Sequence, residues 1–375
     1  MTGRRRIGKT TLVKQALSRS SRHLIFYVQI PDSGDAGVLS EVSDALDMFD
    51  VEPEKHPRPR SLHELAKLIE NMARAGYIIV LDEFQYFNRA AFTGFCSFLQ
   101  AAIDRLNADA DRVSGGLVVL GSVHTDMVAL LENRSAPLYH RTTDTIELRH
   151  LDLAAVMAML RDHADETPER MLFLWNLFEG VPKFYQDCYE QGVFGSTRHD
   201  LLHRMFFESS SPLRTEADNW FLRELRGRYD TVLKFVARKP GLMHGELLAA
   251  IREASGNDRD QIGGYLQTLM EKFRLIERKN PIFANSGERR GRYYLSDNFL
   301  QAWLGALSKP VGSRDFRPMD TLIATADRGL ETVEGFAFER LIGKLHEERS
   351  AKGLPGFSLT SRINGYWDKA GIEID

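Results

Sequence analysis

The stretch Gly3-Arg4-Arg5-Arg6-Ile7-Gly8-Lys9-Thr10, continued by Thr11, decides how the chain is read. Its spacing is glycine, four residues, glycine, lysine, hydroxyl. Glycines let backbone N–H groups approach an anion with no Cβ in the way, and a helix starting just after them aims its N-terminal N–H groups at the same point. In a loop of this kind Lys9 reaches the β- and γ-phosphates and Thr10 offers its hydroxyl to Mg²⁺. A glycine-rich turn before a basic helix has the same composition, so a second feature has to choose between them.

That feature is Ile78-Ile79-Val80-Leu81-Asp82-Glu83, an apolar run that ends abruptly in two carboxylates. Continuous rather than alternating hydrophobicity marks a strand buried on both faces, as in a parallel sheet, and ligands sit at the carboxyl ends of such strands. Asp82 there suits Mg²⁺, through water, and Glu83 suits orienting or deprotonating an attacking water. A strand leaving the core into a polar loop explains either acid singly. The pair, downstream of the loop, favours ATP with Mg²⁺ as cofactors.

Working outward, Leu24–Val28, Tyr77–Leu81 and Leu117–Leu120 read as strands, Thr145–Leu148 as a weaker one, with helices around Thr10–Ala16, Ser61–Ala75 and Phe92–Leu106. This alternation predicts an α/β domain over residues 1–150. Residues 151–222 read as a helical lid. From Arg223 to 311, helices through Ala237, at Glu246–Glu253 and at Arg259–Phe273 precede extended stretches Leu275–Phe283 and Gly291–Leu295, joined by Asn285-Ser286-Gly287. Three helices and a hairpin predict a winged helix-turn-helix. A polar stretch from Gly312 reads as a linker, with a helix near Val333–Glu348 in the last segment, 312–375.

These residues resemble the archaeal-type ATPases of archaea and bacteria, in the STAND branch of the P-loop NTPases. Beside the loop and Leu81-Asp-Glu-Phe-Gln-Tyr-Phe, Gly121-Ser122 is similar to the family's sensor-1 position, and Ser135-Ala-Pro-Leu-Tyr-His-Arg141 to its Ser-x-Pro-Leu-Tyr-Gly-Arg segment. The resemblance implies that Lys9, Glu83 and Arg141 are catalytic, Arg141 sensing the γ-phosphate. It implies nucleotide contacts from Gly3 through Thr11, from Ser122 and from Gly180 and Pro182 of Gly180-Val-Pro-Lys183, and Mg²⁺ held by Thr10 and Asp82. Arg141 as an exposed loop arginine, Ser122 as a strand-end hydroxyl and Gly180-Val181-Pro182 as a helix stop remain the plainer readings. Tyr293-Tyr-Leu-Ser-Asp-Asn-Phe-Leu-Gln-Ala-Trp303 is similar to a further family segment, its aromatics expected in a core. Glu339 and Asp375 are similar to two acids of PD-(D/E)xK nucleases, but the chain ends before a second acid and lysine, so no nuclease activity is expected.

Two functions follow. One is a slowly hydrolysing, ATP/ADP-driven switch whose winged helix contacts DNA or a protein partner, or self-associates. The other is a catalytically silent, truncated DNA-associated or interaction protein, because only Met1 and Thr2 precede Gly3 and the first strand looks missing. In the hairpin, Arg278, Lys279, Arg289, Arg290 and Arg292 suit phosphate contacts, whereas Arg259 and Lys272 of the third helix are offset by Asp258, Asp260 and Glu271. A net charge of −3 demands no polyanionic partner. Two cysteines exclude a disulfide scaffold, and no apolar run approaches the ~20 residues of a membrane span. A cytoplasmic location with no membrane contact is the default expectation.

Overall fold

The computed structural model describes residues 1–19, 24–122, 124–216, 228–255, 259–284, 290–354, 356, 358–368 and 372–374. The turn expected at Asn285-Ser286-Gly287, the boundary at Leu222–Arg223, and Asp258, Arg289 and Asp375 lie outside them. The chain divides into two compact units, Met1–Arg149 and His150–Asp375. The three segments expected after residue 150 therefore fall in one unit.

The first unit runs β1 (Thr2–Gly3), α1 (Lys9–Ser18), β2 (Leu24–Gln29), α2 (Asp35–Met48), α3 (Leu62–Arg74), β3 (Tyr77–Asp82), α4 (Thr93–Ala108), β4 (Gly116–Val119), α5 (His124–Leu131), β5 (Glu147–Leu148). Strands β2, β3 and β4 pair in parallel in that order, and β1 pairs in parallel with β5. A bridge between Thr2 and Gly121 joins the two groups, giving the order β2-β3-β4-β1-β5. Side chains of β3 alternate between two cores. Ile79 and Leu81 belong to one with α2, α3 and α4; Val80 packs with Val13 of α1 and Leu120. Burial on both faces is why this strand reads as an unbroken apolar run. Helix α3 starts where its N-cap Ser61 accepts the Glu64 N–H at 3.2 Å, while Glu64 accepts the N–H of the preceding Arg60 at 2.8 Å.

The two residues ahead of the phosphate loop do more than the sequence suggests. Thr2 donates its N–H to the Ile146 carbonyl at 2.8 Å, and Met1 O accepts from the Gly121 N–H at 3.2 Å. The loop is thus anchored on both sides by a two-residue strand, where the sequence suggested that the first strand was missing.

The second unit opens with α6 (Leu153–His163), α7 (Pro168–Phe178), α8 (Pro182–Glu190) and α9 (Arg198–Leu202). It continues with α10 (Arg228–Arg238), β6 (Leu242–Met243), α11 (His244–Ser255), α12 (Arg259–Glu271), β7 (Ile276–Lys279) and β8 (Arg292–Leu295), the strands ordered β6-β8-β7 and antiparallel. Next come α13 (Asn298–Ala302), a π-turn, α14 (Ser308–Gly312), α15 (Met319–Ala351) and a short hairpin, β9 (Tyr366–Trp367) with β10 (Glu373–Ile374). One core serves all of these helices. Phe184 of α8 packs against Phe299 of α13 with ring centroids 4.7 Å apart, and Trp303 is buried with them. Tyr293, Leu295, Phe299 and Trp303 are core residues.

Helix α15 corrects the linker expected from Gly312. Only residues 313–318 separate it from α14, and it begins well before Val333. The surrounding sequence is polar, yet Leu322, Ile323, Ala326 and Leu330 line one buried stripe, and tertiary burial of that stripe stabilises the helix. Among the described residues, no helix is long and apolar enough to cross a membrane.

Leu99 of α4 is fully buried in the α2–α3–α4 core. Leu99→Ala should cost about 2–5 kcal/mol, read as a lower midpoint in urea denaturation followed by circular dichroism.

Candidate active site at the carboxyl edge of the parallel sheet

The loop between β1 and α1 is built on unusual backbone. Arg6 and Gly8 sit in the left-handed region (φ 65° and 88°), and Gly8 caps α1. At Gly3, φ is 152° and a Cβ would stand 2.6 Å from the Leu148 carbonyl oxygen, so β5 can lie against the loop only because this residue has no side chain.

Lys9 is buried, and its ammonium donates to Gly3 O at 2.8 Å, Arg4 O at 3.0 Å and Ser122 Oγ at 3.0 Å. Its three protons are thereby used. Burial pushes its pKa down; Glu83 and Asp82 pull the other way, and Arg5 adds to the lowering. Thr10 Oγ1 donates to Asp82 Oδ2 at 2.6 Å. Asp82 also accepts from Tyr27 OH at 2.9 Å and, at Oδ1, from the Glu83 N–H at 2.8 Å. Glu83 turns the chain out of β3 in a left-handed conformation, φ 55°, a backbone state that a non-glycine residue adopts at some cost and that clusters at functional sites. Its carboxylate accepts from Gln85 Nε2, and Gln85 Oε1 accepts the Ser122 N–H at 3.1 Å.

The structure therefore brings together Gly3, Arg4, Lys9, Thr10, Asp82, Glu83 and Ser122 from the loop and from the ends of β3 and β4. Arg5, Arg6, Ile7 and Thr11 fall in the same loop and first turn of α1. Arg141 is elsewhere engaged: its guanidinium spans Asp104 of α4 at 3.1 and 3.3 Å and donates to Tyr139 O at 2.7 Å, and none of its hydrogen bonds among the described residues reaches the loop. Gly180 and Pro182 belong to the second unit, at the corner between α7 and α8. There Gly180 O accepts the Leu151 N–H at 2.8 Å, and a Cβ on Gly180 would stand 2.5 Å from Leu151 O. Glu339 is exposed on α15.

Two site residues escaped the sequence reading, Tyr27 and Gln85. Tyr27 lies near the carboxyl end of β2, and burial together with the Asp82 carboxylate pushes its phenol well above the usual range. Gln85 is the one amide in the otherwise aromatic run Phe84-Gln85-Tyr86-Phe87, which was the available signal.

The donor set at Thr10 and Asp82 fits Mg²⁺. It is all oxygen, one member is a carboxylate, and the hydroxyl keeps lone pairs free while its proton is held by Asp82. No protein-family model matches the chain. An uncharacterized protein of Methanocaldococcus jannaschii is 22% identical over 373 residues, spanning 100% of this chain and 77% of that one. A Walker-type ATPase of Pyrococcus abyssi superposes with a TM-score of 0.60 at 17% identity, over 81% of this chain and 89% of its own. The ORC2 protein of Aeropyrum pernix, solved in ADPNP–ADP complexes, superposes with a TM-score of 0.52 at 14% identity, over 88% and 87%. The fold is that of a P-loop ATPase.

Tyr27→Phe removes one hydrogen bond from a buried carboxylate and should cost about 1–2 kcal/mol, measured by urea denaturation, with Thr10 and the Glu83 N–H still holding Asp82.

Proposed function

We propose that the chain binds ATP with Mg²⁺ and hydrolyses it slowly, as a STAND-like switch that couples nucleotide state to the second unit. One observation carries the reading: an ammonium, a hydroxyl and a carboxylate from separate parts of the sequence meet at one sheet edge, through Lys9–Ser122 and Thr10–Asp82. The P-loop ATPase fold and the nucleotide complexes of ORC2 support it. The strand pairing of Thr2–Gly3 on both sides favours it over a silent interaction protein.

In this reading the ammonium of Lys9 exchanges its carbonyl partners for β- and γ-phosphate oxygens, which leaves a buried cation paired with charge rather than with dipoles. Loop N–H groups from Gly3 to Thr11 hold the phosphates. Thr10 and, through water, Asp82 would hold Mg²⁺, which would supply positive charge against the phosphoryl oxygens. Glu83 orients the attacking water and accepts its proton. Arg141 as γ-phosphate sensor and Gly180 and Pro182 as nucleotide contacts rest on motif resemblance; Arg141 would have to leave Asp104.

The succession α10–β6–α11–α12–β7–β8 supports a winged helix, with α12 as recognition helix and β7–β8 as wing. We assign it DNA as its partner. Within the second unit two of the wing arginines, Arg290 and Arg292, already have occupants. Arg292 pairs with Glu373, one bond at 3.0 Å, and lies 4.6 Å over the Trp367 ring, and Arg290 donates to Trp367 O at 3.0 Å. DNA phosphates would have to displace them.

Lys9→Ala and Asp82→Asn test the nucleotide reading. Millimolar Mg²⁺-ATP should raise the melting temperature of the wild-type chain by several degrees; Lys9→Ala should abolish the shift, and Asp82→Asn should remove its Mg²⁺ dependence. A wild-type chain indifferent to both ATP and ADP overturns the proposal. For the wing, Glu373→Gln should tighten binding to duplex DNA several-fold at low salt, with the gain fading as salt rises, measured by fluorescence anisotropy.

A further inference from the structure

We infer that Gln85 is a positioning residue that holds the Glu83 carboxylate and the Ser122 end of β4 as one hydrogen-bonded unit. The inference rests on the proposed ATP reading and adds to it a residue that the motif pattern does not assign.

Gln85 sits in a 3₁₀ turn, Phe84–Phe87, that is rigidly seated. Phe84 and Phe87 are fully buried, Phe87 packs 4.4 Å from Phe95 and 5.3 Å from Phe92, and the Phe84 N–H donates to Leu120 O at 2.8 Å. The side chain between these anchors is itself buried, at 6% exposure. A buried amide needs partners for both of its ends, and here it has them. Nε2 donates to the Glu83 carboxylate, which as an ion can only accept; Oε1 accepts from the Ser122 backbone N–H, which can only donate. The partners therefore fix the orientation of the amide. Among side chains of this length that carry no titratable group, only a carboxamide serves a carboxylate and an N–H at once.

The consequence lies in what Gln85 connects. Ser122 Oγ accepts from Lys9, so the ammonium assigned to phosphate and the carboxylate assigned to water are joined through Ser122 and Gln85. Glu83 has three side-chain torsions and sits on a left-handed turn, φ 55°. Without the amide its carboxylate would sample several rotamers, and a displacement of about 1 Å costs on the order of 100-fold in rate. Gln85 does not touch the reacting atoms; it acts through Glu83.

Two variants of the full chain test this, with ATP binding and phosphate release measured separately. Gln85→Leu, of similar size, should lower kcat about 10- to 100-fold with KM for ATP within about twofold. Gln85→Glu should give a signature that a packing role would not. At acid pH the new carboxyl is protonated, donates to Glu83 and replaces the amide. As pH rises it ionises beside Glu83 and repels it, so turnover should fall with pH over a range where the wild-type rate is flat or rising. Should Gln85→Leu fail to fold, the pH profile of Gln85→Glu decides. Wild-type turnover, with both variants within twofold of it in kcat and unchanged in pH profile, overturns the role of Gln85 and leaves the ATP reading standing. A wild-type chain that binds ATP without turnover also overturns it, and one that binds no nucleotide overturns the ATP reading itself.

Discussion

Burying a carboxylate is costly unless its oxygens are hydrogen-bonded, and the first unit is arranged around one such group. Asp82 is 5% exposed. It accepts from the Thr10 hydroxyl, the Tyr27 phenol and the Glu83 N–H, so α1, β2 and the turn after β3 are each tied to the same two oxygens. The strand that delivers Asp82 is clamped between two apolar cores through Ile79 and Leu81 on one side and Val80 on the other. Packing sets the strand, the strand sets the carboxylate, and the carboxylate registers the loop.

Lys9 poses the complementary problem. Its ammonium is buried beside two carboxylates yet bonded to two carbonyls and a hydroxyl. Neutral acceptors satisfy its protons but offset its charge only in part, which is why burial still lowers its pKa. An incoming anion would complete what these dipoles begin. In the proposed reading, the electrostatics that make the lysine costly to bury are the ones that favour phosphate at the loop.

In the second unit, charge is managed at shorter range. The basic hairpin that a sequence reader would offer to nucleic acid meets Glu373 and Trp367 from the same chain. Arg340 of α15 likewise reaches Asn298, Glu277 and the Leu295 carbonyl, which fastens the long helix to β7, β8 and α13. Two arginines of that hairpin, Arg290 and Arg292, are thus engaged within the chain.

Local patterns were enough for the strands at Leu24, Tyr77 and Leu117, for the loop, and for the acid pair. Each is a contiguous signature whose physical cause, double-sided burial or backbone approach to an anion, acts within a few residues. Helix α2 was passed over because Gly37, Ser40 and Ser43 dilute a stripe of Val38, Val42, Ala45 and Leu46, and α15 because its polar surface hides the stripe it buries. What only the tertiary structure decided was the company each group keeps. Tyr27 meets Asp82 across 55 positions and Gln85 meets Ser122 across 37; Arg141 turns to Asp104, and Thr2–Gly3 finds partners on both sides. Hydrogen bonds between distant segments leave no periodicity in a sequence, because each depends on where two separately packed strands happen to end.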